Sequence, residues 1–313
     1  MATLVTEGNP AGAKPLISEV TADENTVVPN ATSGTSLDIK AATESVRQVS
    51  LLPASTTEEC GKFQFIPLPS EFPLGKERED KTYLKKWGLE SDMVYGRFRF
   101  DEAFTEEKIP NFLKDFFNSR QVQGTLKVSG RRSGLVAMMG EATGVDFDTL
   151  RTTVLNMSFF DRLKGENITG GDGYIRGCMP ERYHGCEGGS LFREMFLNED
   201  SEAYLAYDDD ERAEFLFRIM QAIGIGGSMC QPETNIKAYL DCAKRIYKAL
   251  VTVRKRAHTK ELYVDSTVLS VTGIKGSLGL FPDPENPLNY CYLSVDKSRR
   301  QVHYWSAAFV DFW

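Results

Sequence analysis

The chain has almost no aromatic character at one end. Residues 1–57 contain no Phe, Tyr or Trp, and the first aromatic is Phe63. Ala, Thr, Ser, Pro, Asn and Glu fill this stretch instead. Such a composition cannot bury enough apolar area to offset backbone ordering, about 1–2 kcal/mol per residue. Residues 1–60 therefore read as a disordered tail and residues 61–313 as a single domain. The run Val49–Leu52 reads as a stray apolar cluster in that tail rather than a docking peptide.

Positive charge is also in deficit: 37 Lys and Arg stand against 44 Asp and Glu, a formal net charge of −7. A nucleic-acid binder needs clustered cations for phosphate contacts, and an anionic membrane needs the same, so neither is expected as a partner. No run approaches the ~20 apolar residues that span a bilayer. The first residues lack both the basic start and the apolar run of a secretory signal, and the Arg enrichment of a presequence. The expected location is the cytosol or a compartment continuous with it. There, the sequons at Asn30, Asn156 and Asn167 stay unmodified, and Cys60, Cys178, Cys186, Cys230, Cys242 and Cys291 remain free thiols.

Catalytic signatures are missing as well. No Gly-Lys-Ser/Thr is present to cradle phosphate. Gly224, Gly226 and Gly227 imitate a dinucleotide fingerprint, but its third glycine falls on Met229; a helix-to-helix turn fits better. Cys178, His184 and Cys186 supply three zinc-type ligands where four are wanted, and Cys230 would have to complete the set. An unreactive polar loop is the plainer reading. His184, His258 and His303 are the only histidines, and none has a recognisable nucleophile and orienting group beside it. The acidic clusters Glu199–Glu202 and Asp208–Glu211 lack EF-hand spacing and read as helix-capping charge. No catalytic, cofactor-binding or metal residue is assigned, and a partner-binding module is favoured over an enzyme.

What is present is clear patterning. Phe63, Phe65, Ile66 and Leu68 suggest a first strand, ended by Pro67 and Pro69. Lys81–Trp87 suggests a short helix. Phe98 and Phe100 alternate with Arg97 and Arg99, the period of a half-buried strand. After Thr105, the positions Ile109, Phe112, Leu113, Phe116 and Phe117 share one helical face. Gln121–Val128 and Leu135–Met139 read as strands around the turn Ser129-Gly130. Thr152–Leu163 is ambiguous, Gly165–Gly177 is a glycine-rich connection, and Ser190–Leu197 is a helix.

Two further helices are the strongest signals. The first, capped by Asp208–Asp210, carries the stripe Phe215, Leu216, Ile219, Met220 and Ile223 and stops at Gly224. The second starts at Pro232 and carries Ile236, Tyr239, Leu240, Ala243, Ile246, Tyr247 and Leu250. Leu262–Val271 is β-rich. Tyr290–Val295 and Gln301–Trp305 flank a polar turn as a hairpin. Strands, then helices, then strands predict an α+β fold with a mostly antiparallel sheet and a central helical segment.

Lys244, Arg245 and Lys248 crowd the negative end of the second helix dipole. Arg254, Lys255 and Arg256 follow, with Lys260 nearby. These residues are the candidate surface for docking an acidic partner segment, set against the blander reading of a solvated helix end.

Two blocks carry a family resemblance. One is LNMSFFDRL (Leu155–Leu163), followed by Gly173-Tyr174-Ile175 and Cys178. The other is EFLF (Glu214–Phe217), then Gly226-Gly227, Cys230-Gln231, Tyr239-Leu240, Ile246–Lys248 and Val251–Lys255. In order and spacing they closely resemble the cilia- and flagella-associated protein 300 family, over roughly Phe63–Tyr304. The tail before Phe63 departs from the family's pattern.

The resemblance implies a non-enzymatic protein of the cytoplasm and the motile cilium or flagellum axoneme. It implies partnership with cytoplasmic dynein-arm assembly factors, axonemal dynein chains and the intraflagellar transport machinery, in building outer and inner dynein arms. It brings no catalytic residues. A zinc-dependent or small-molecule enzyme built on the Cys178–Cys186 loop, and a stable structural axonemal subunit, remain as alternatives.

Overall fold

The structure, a computed structural model, describes residues 62–130 and 134–311. The expected tail, with its Val49–Leu52 run, lies outside the described residues.

In chain order, β1 (Phe65–Leu68), α1 (Arg78–Lys86) and β2 (Met93–Phe100) come first. A 3₁₀ turn at Glu106–Lys108 leads into α2 (Ile109–Asn118), α3 (Arg120–Thr125) and the ribbon β3 (Lys127–Gly130) and β4 (Gly134–Ala137). Next come β5 (Ala142–Leu150), α4 (Arg162–Gly165), the small ribbon β6 (Arg182–Tyr183) and β7 (Cys186–Glu187), and α5 (Leu191–Leu197). The helices α6 (Asp209–Arg212), α7 (Phe215–Ile225) and α8 (Ile236–Leu250) complete the middle. The ribbon β8 (Val253–Lys255) and β9 (Leu262–Val264) precedes β10 (Ser266–Gly276), β11 (Tyr290–Asp296) and β12 (Gln301–Ala307).

Six strands form one sheet in the order β1-β2-β12-β11-β10-β5, with every pairing antiparallel. The fold is α+β, as the sequence pattern implied. Strand alternation sends successive side chains to opposite faces. Val94, Phe98, Leu269, Leu293, Val302 and Tyr304 join the α2 stripe in one apolar cluster. Phe116 of α2 meets Phe65 and Phe98 edge-on at 5.1 and 5.4 Å. Val268, Tyr292 and Trp305 on the other face join α5, α7 and α8 in a second cluster. Each aromatic buried this way contributes about 1.5–3 kcal/mol.

Two buried arginines hold the helical layer. Arg193 of α5 donates to the carbonyls of Gly224 and Ile225 at the end of α7, at 3.3 and 2.8 Å, and to Glu187 O at 2.8 Å. Arg212 donates to Tyr207 O and Met195 O at 3.1 and 2.9 Å, and also to Tyr204 O. The last carbonyls of a helix lack intrahelical partners and carry its negative dipole end, so a guanidinium fork fits them.

Several local expectations need correction. Pro67 does not end β1 but sits inside it, because β1 is an edge strand with one free side. Gln121–Thr125 is not a strand but helix α3; Val122 is its buried anchor, and Thr125 Oγ1 bonds back to Gln121 O at 2.7 Å. The acidic run at Asp208 caps the short α6 through a reciprocal Asp208–Glu211 box, and α7 begins separately after Glu214.

Gly224 lies within α7, where an added Cβ would come within 2.9 Å of the Phe192 and Phe196 rings; the left-handed stop is Gly226 (φ 68°). Pro232 does not start α8. Residues before Asn235 stay extended because Thr234 O accepts from Ile175 N at 2.8 Å, and Asn235 then caps Lys237 N at 2.9 Å. The ambiguous Thr152–Leu163 resolves into an extended stretch, a 3₁₀ turn at Met157–Phe160 and the start of α4.

Candidate functional site

The segment after α8 does not continue as a solvated helix end. Val251 turns extended, and Arg254 and Lys255 fall in β8, paired with Tyr263 and Leu262 of β9. Arg256 N donates the ribbon's next bond to Glu261 O at 2.8 Å, and its guanidinium lies over the Tyr263 ring at 5.3 Å.

Asp296, at the end of β11, fastens this ribbon to the sheet. It accepts from Thr252 Oγ1 at 2.6 Å, Ser298 Oγ at 2.8 Å and Arg299 N at 2.8 Å. Burial pushes its carboxyl up, but the three hydrogen bonds outweigh burial and hold it below the usual carboxylate range. Arg254 bonds Asp265 at 2.9 Å and also reaches Ser298 Oγ.

A second basic run, Lys297, Arg299 and Arg300 in the β11–β12 turn, is thereby set against the first. Arg300 donates to Asp101 O, and Phe100 N donates to Arg300 O at 3.0 Å. The pairing continues across the sheet: Arg99 faces Gln301 and Ile66, and Arg97 faces His303 and Leu68. A shallow groove of about 440 Å³ is lined by Gln64, Ile66, Arg99, Phe100, Asp101, Arg299 and Arg300. Ile66 is 48 % exposed in it, an apolar contact among cations. The result is a basic ridge on an acidic chain, in which Lys297 pairs with Glu106 at 3.5 Å and Arg299 with Asp296 at 3.7 Å.

His303 lies beneath this ridge. Burial lowers its pKa to about 4, helped by Arg97 and Arg299, so the imidazole is neutral in the fold. Its Nδ1 is 2.8 Å from Tyr95 Oη.

Of the residues marked in the sequence, Arg254, Lys255 and Arg256 lie on the ridge. Arg245 is tied instead to Asp80 of α1 at 2.7 Å. Lys244 is partly buried and Lys248 exposed on α8. Nothing local in the sequence marks Arg97, Arg99, Arg299 and Arg300 as members of the same surface. Their alternation and turn signals identified strands, not adjacency.

Cys178, His184, Cys186 and Cys230 do not form a ligand set; among the described residues no group of three His, Cys, Asp or Glu is placed to hold a metal ion. His184 and Gly185 (φ 50° and 86°) make the two-residue turn between β6 and β7. Burial raises the thiols of Cys178, Cys186 and Cys230, the last to about 11, which leaves them poor nucleophiles.

The profile of the family described as "Cilia- and flagella-associated protein 300" matches residues 62–307. The chain belongs to that family. A Paramecium tetraurelia cilia- and flagella-associated protein 300 is 32 % identical over 229 residues, 72 % of this chain and 86 % of the relative. The Chlamydomonas reinhardtii protein of the same name is 30 % identical over 256 residues, 80 % of this chain and 99 % of the relative. No solved structure matches the chain.

In this member of the family, the two resembling blocks meet as packing. Glu214, 3 % exposed, accepts from Thr153 N and Val154 N at 3.0 and 3.3 Å and also from Thr153 Oγ1, locking EFLF to the segment before LNMSFFDRL. Gly226 and Gly227 lie so close to the end of α1 that an added Cβ would be 2.6 Å from Trp87 O and 2.5 Å from Gly88 O. Among the described residues no helix is long and apolar enough to cross a membrane.

Proposed function

We propose that this chain is a non-enzymatic adaptor or assembly factor for the outer and inner dynein arms of motile cilia. It works in the cytoplasm with dynein-arm assembly factors and axonemal dynein chains, and enters the cilium with intraflagellar transport. Membership of a cilia- and flagella-associated family supports the setting. The observation that carries the adaptor reading is the basic ridge: clustered cations on a chain of net charge −7 favour a local contact with an acidic protein segment rather than a general affinity for polyanions. Arg254, Lys255 and Arg256 form one end of that contact, and Lys244 and Lys248 on α8 extend it, while Arg245 stays paired with Asp80.

The test is affinity purification of the tagged chain from cells regrowing flagella. Dynein chains and their assembly factors are expected to co-purify with the native chain and to be depleted at least fivefold with R254E/K255E/R256E, whose thermal unfolding should stay near that of the native chain. Unchanged recovery with the variant overturns the reading. Retention of the chain in detergent-extracted axonemes, with no cytoplasmic pool, would point to a fixed structural subunit instead.

A further inference from the structure

A cleft of about 590 Å³ lies at the opposite end of the sheet from the ridge. Its walls are α7 and the 284–290 loop, and its floor includes Asp148, Thr149 and Leu150 of β5 and Ser270 of β10. Two features of it lack an occupant.

The first is Arg218 of α7, which lines both this cleft and an adjoining cavity of about 360 Å³. Its guanidinium is partly buried and bonds Gln221 Oε1 at 3.0 Å. It also lies near enough to Arg212 to lower that group's proton affinity, after burial itself. Among the described residues no carboxylate forms an ion pair with it. Glu199 and Asp209 line the adjoining cavity and Asp148 and Glu285 the cleft, but none of the four closes to ion-pair distance, so the guanidinium keeps donors for a partner's carboxylate.

The second is the free edge of β5. It is fastened at both ends. Asn118 bonds both Ala142 N and Ala142 O at 2.8 Å. Arg151 N donates to Ala213 O at 3.0 Å and Arg151 O accepts from Phe215 N at 2.8 Å, so one residue of parallel pairing already uses this edge. Between the fasteners, Thr143–Leu150 pairs only with β10 among the described residues. The open length suits one added strand, and its last three residues lead into the cleft.

We infer that β5 and the Arg218 cleft together bind an extended segment of a partner protein, which adds as a strand and places one acidic side chain against Arg218. A second copy of this chain is a poor occupant, because antiparallel β5–β5 pairing would bring the Asp146 and Asp148 of the two copies together. Asp148 and Glu285 on the rim disfavour a uniformly acidic segment, so the favoured sequence is a single Asp or Glu among neutral β-formers. The inference goes beyond the adaptor reading and uses none of the ridge residues.

The experiment pans a random heptapeptide phage library on the full chain. The expected result is a consensus with one acidic position between Val, Ile, Thr or aromatic residues. A synthetic peptide of that consensus should bind R218E at least tenfold more weakly, and its Glu→Lys counterpart should bind R218E more tightly than the native chain. Peptide binding should slow amide exchange in β5 and leave β1 unchanged. R218Q serves as the milder variant should R218E lose its fold, with at least threefold weaker binding expected. Absence of an acidic consensus, equal binding by the variants, or protection away from β5 would each overturn the inference. So would a site that takes inorganic phosphate and no peptide.

Discussion

His303 shows how one side chain can set a pH response. The unfolded chain takes up a proton at an imidazole pKa near 6.5, while burial holds the folded value at about 4. The unfolded state therefore binds more protons between these values, and stability falls as pH drops through that window, by up to about 3 kcal/mol in full. Asp296 adds a further loss below it, because its depressed carboxyl must be protonated as pH falls through its folded value. The expected outcome is that urea midpoints decline between pH 6.5 and 4.5 in the native chain, and that H303Q declines less over the same interval. Parallel curves would refute the assignment. The sequence placed His303 on one face of a strand but could not say that Tyr95 and Arg97 lie against it, since the Tyr95 contact joins residues 208 positions apart.

At the scale of elements, apolar periodicity was the dependable guide. The α2 and α8 stripes, β2, and the β11–β12 hairpin lie where their spacing put them, because each buries one continuous face. Elements decided by backbone partners were misread. Residues 232–235 resemble a helix start but are held extended by Ile175, and Val122 and Thr125 look β-like but sit in a helix.

β5 went unnoticed because Gly144, Asp146 and Asp148 are poor strand formers, and its place is fixed by pairing with β10. Arg193 offered no local signal either, yet it closes α7 from outside. Replacing it with Met would leave the Gly224 and Ile225 carbonyls buried without their donor, at a cost of about 3 kcal/mol. R193K, which cannot fork, is expected to recover less than half of that loss in urea unfolding. A loss below about 1 kcal/mol for Met would mean that water replaces the guanidinium.

For the molecule as a whole, charge distribution matters more than charge total. The −7 balance speaks against a general polyanion binder but conceals the local surplus, because Arg254 and Ser298, the link between its two runs, are 44 positions apart. A ridge of this kind should act over about 8–10 Å at physiological ionic strength. Partner capture through it is expected to weaken several-fold between 50 and 300 mM salt, whereas the R254E/K255E/R256E variant should be nearly indifferent. A salt-independent native interaction would place the main contact elsewhere.

The strand order has a consequence for how the chain is made. β2 is bordered by β1 on one side and by β12, the last of the described strands in chain order, on the other. Until β11 and β12 have emerged, about 190 residues after β2, the phenylalanine-rich β1–β2–α2 unit has one unclosed edge and no floor of β11 and β12 beneath it. Such late closure is slow and leaves sticky surface uncovered. Nascent chains halted before residue 290 are therefore expected to be held by chaperones, and a truncation lacking β12 to collect in the insoluble fraction.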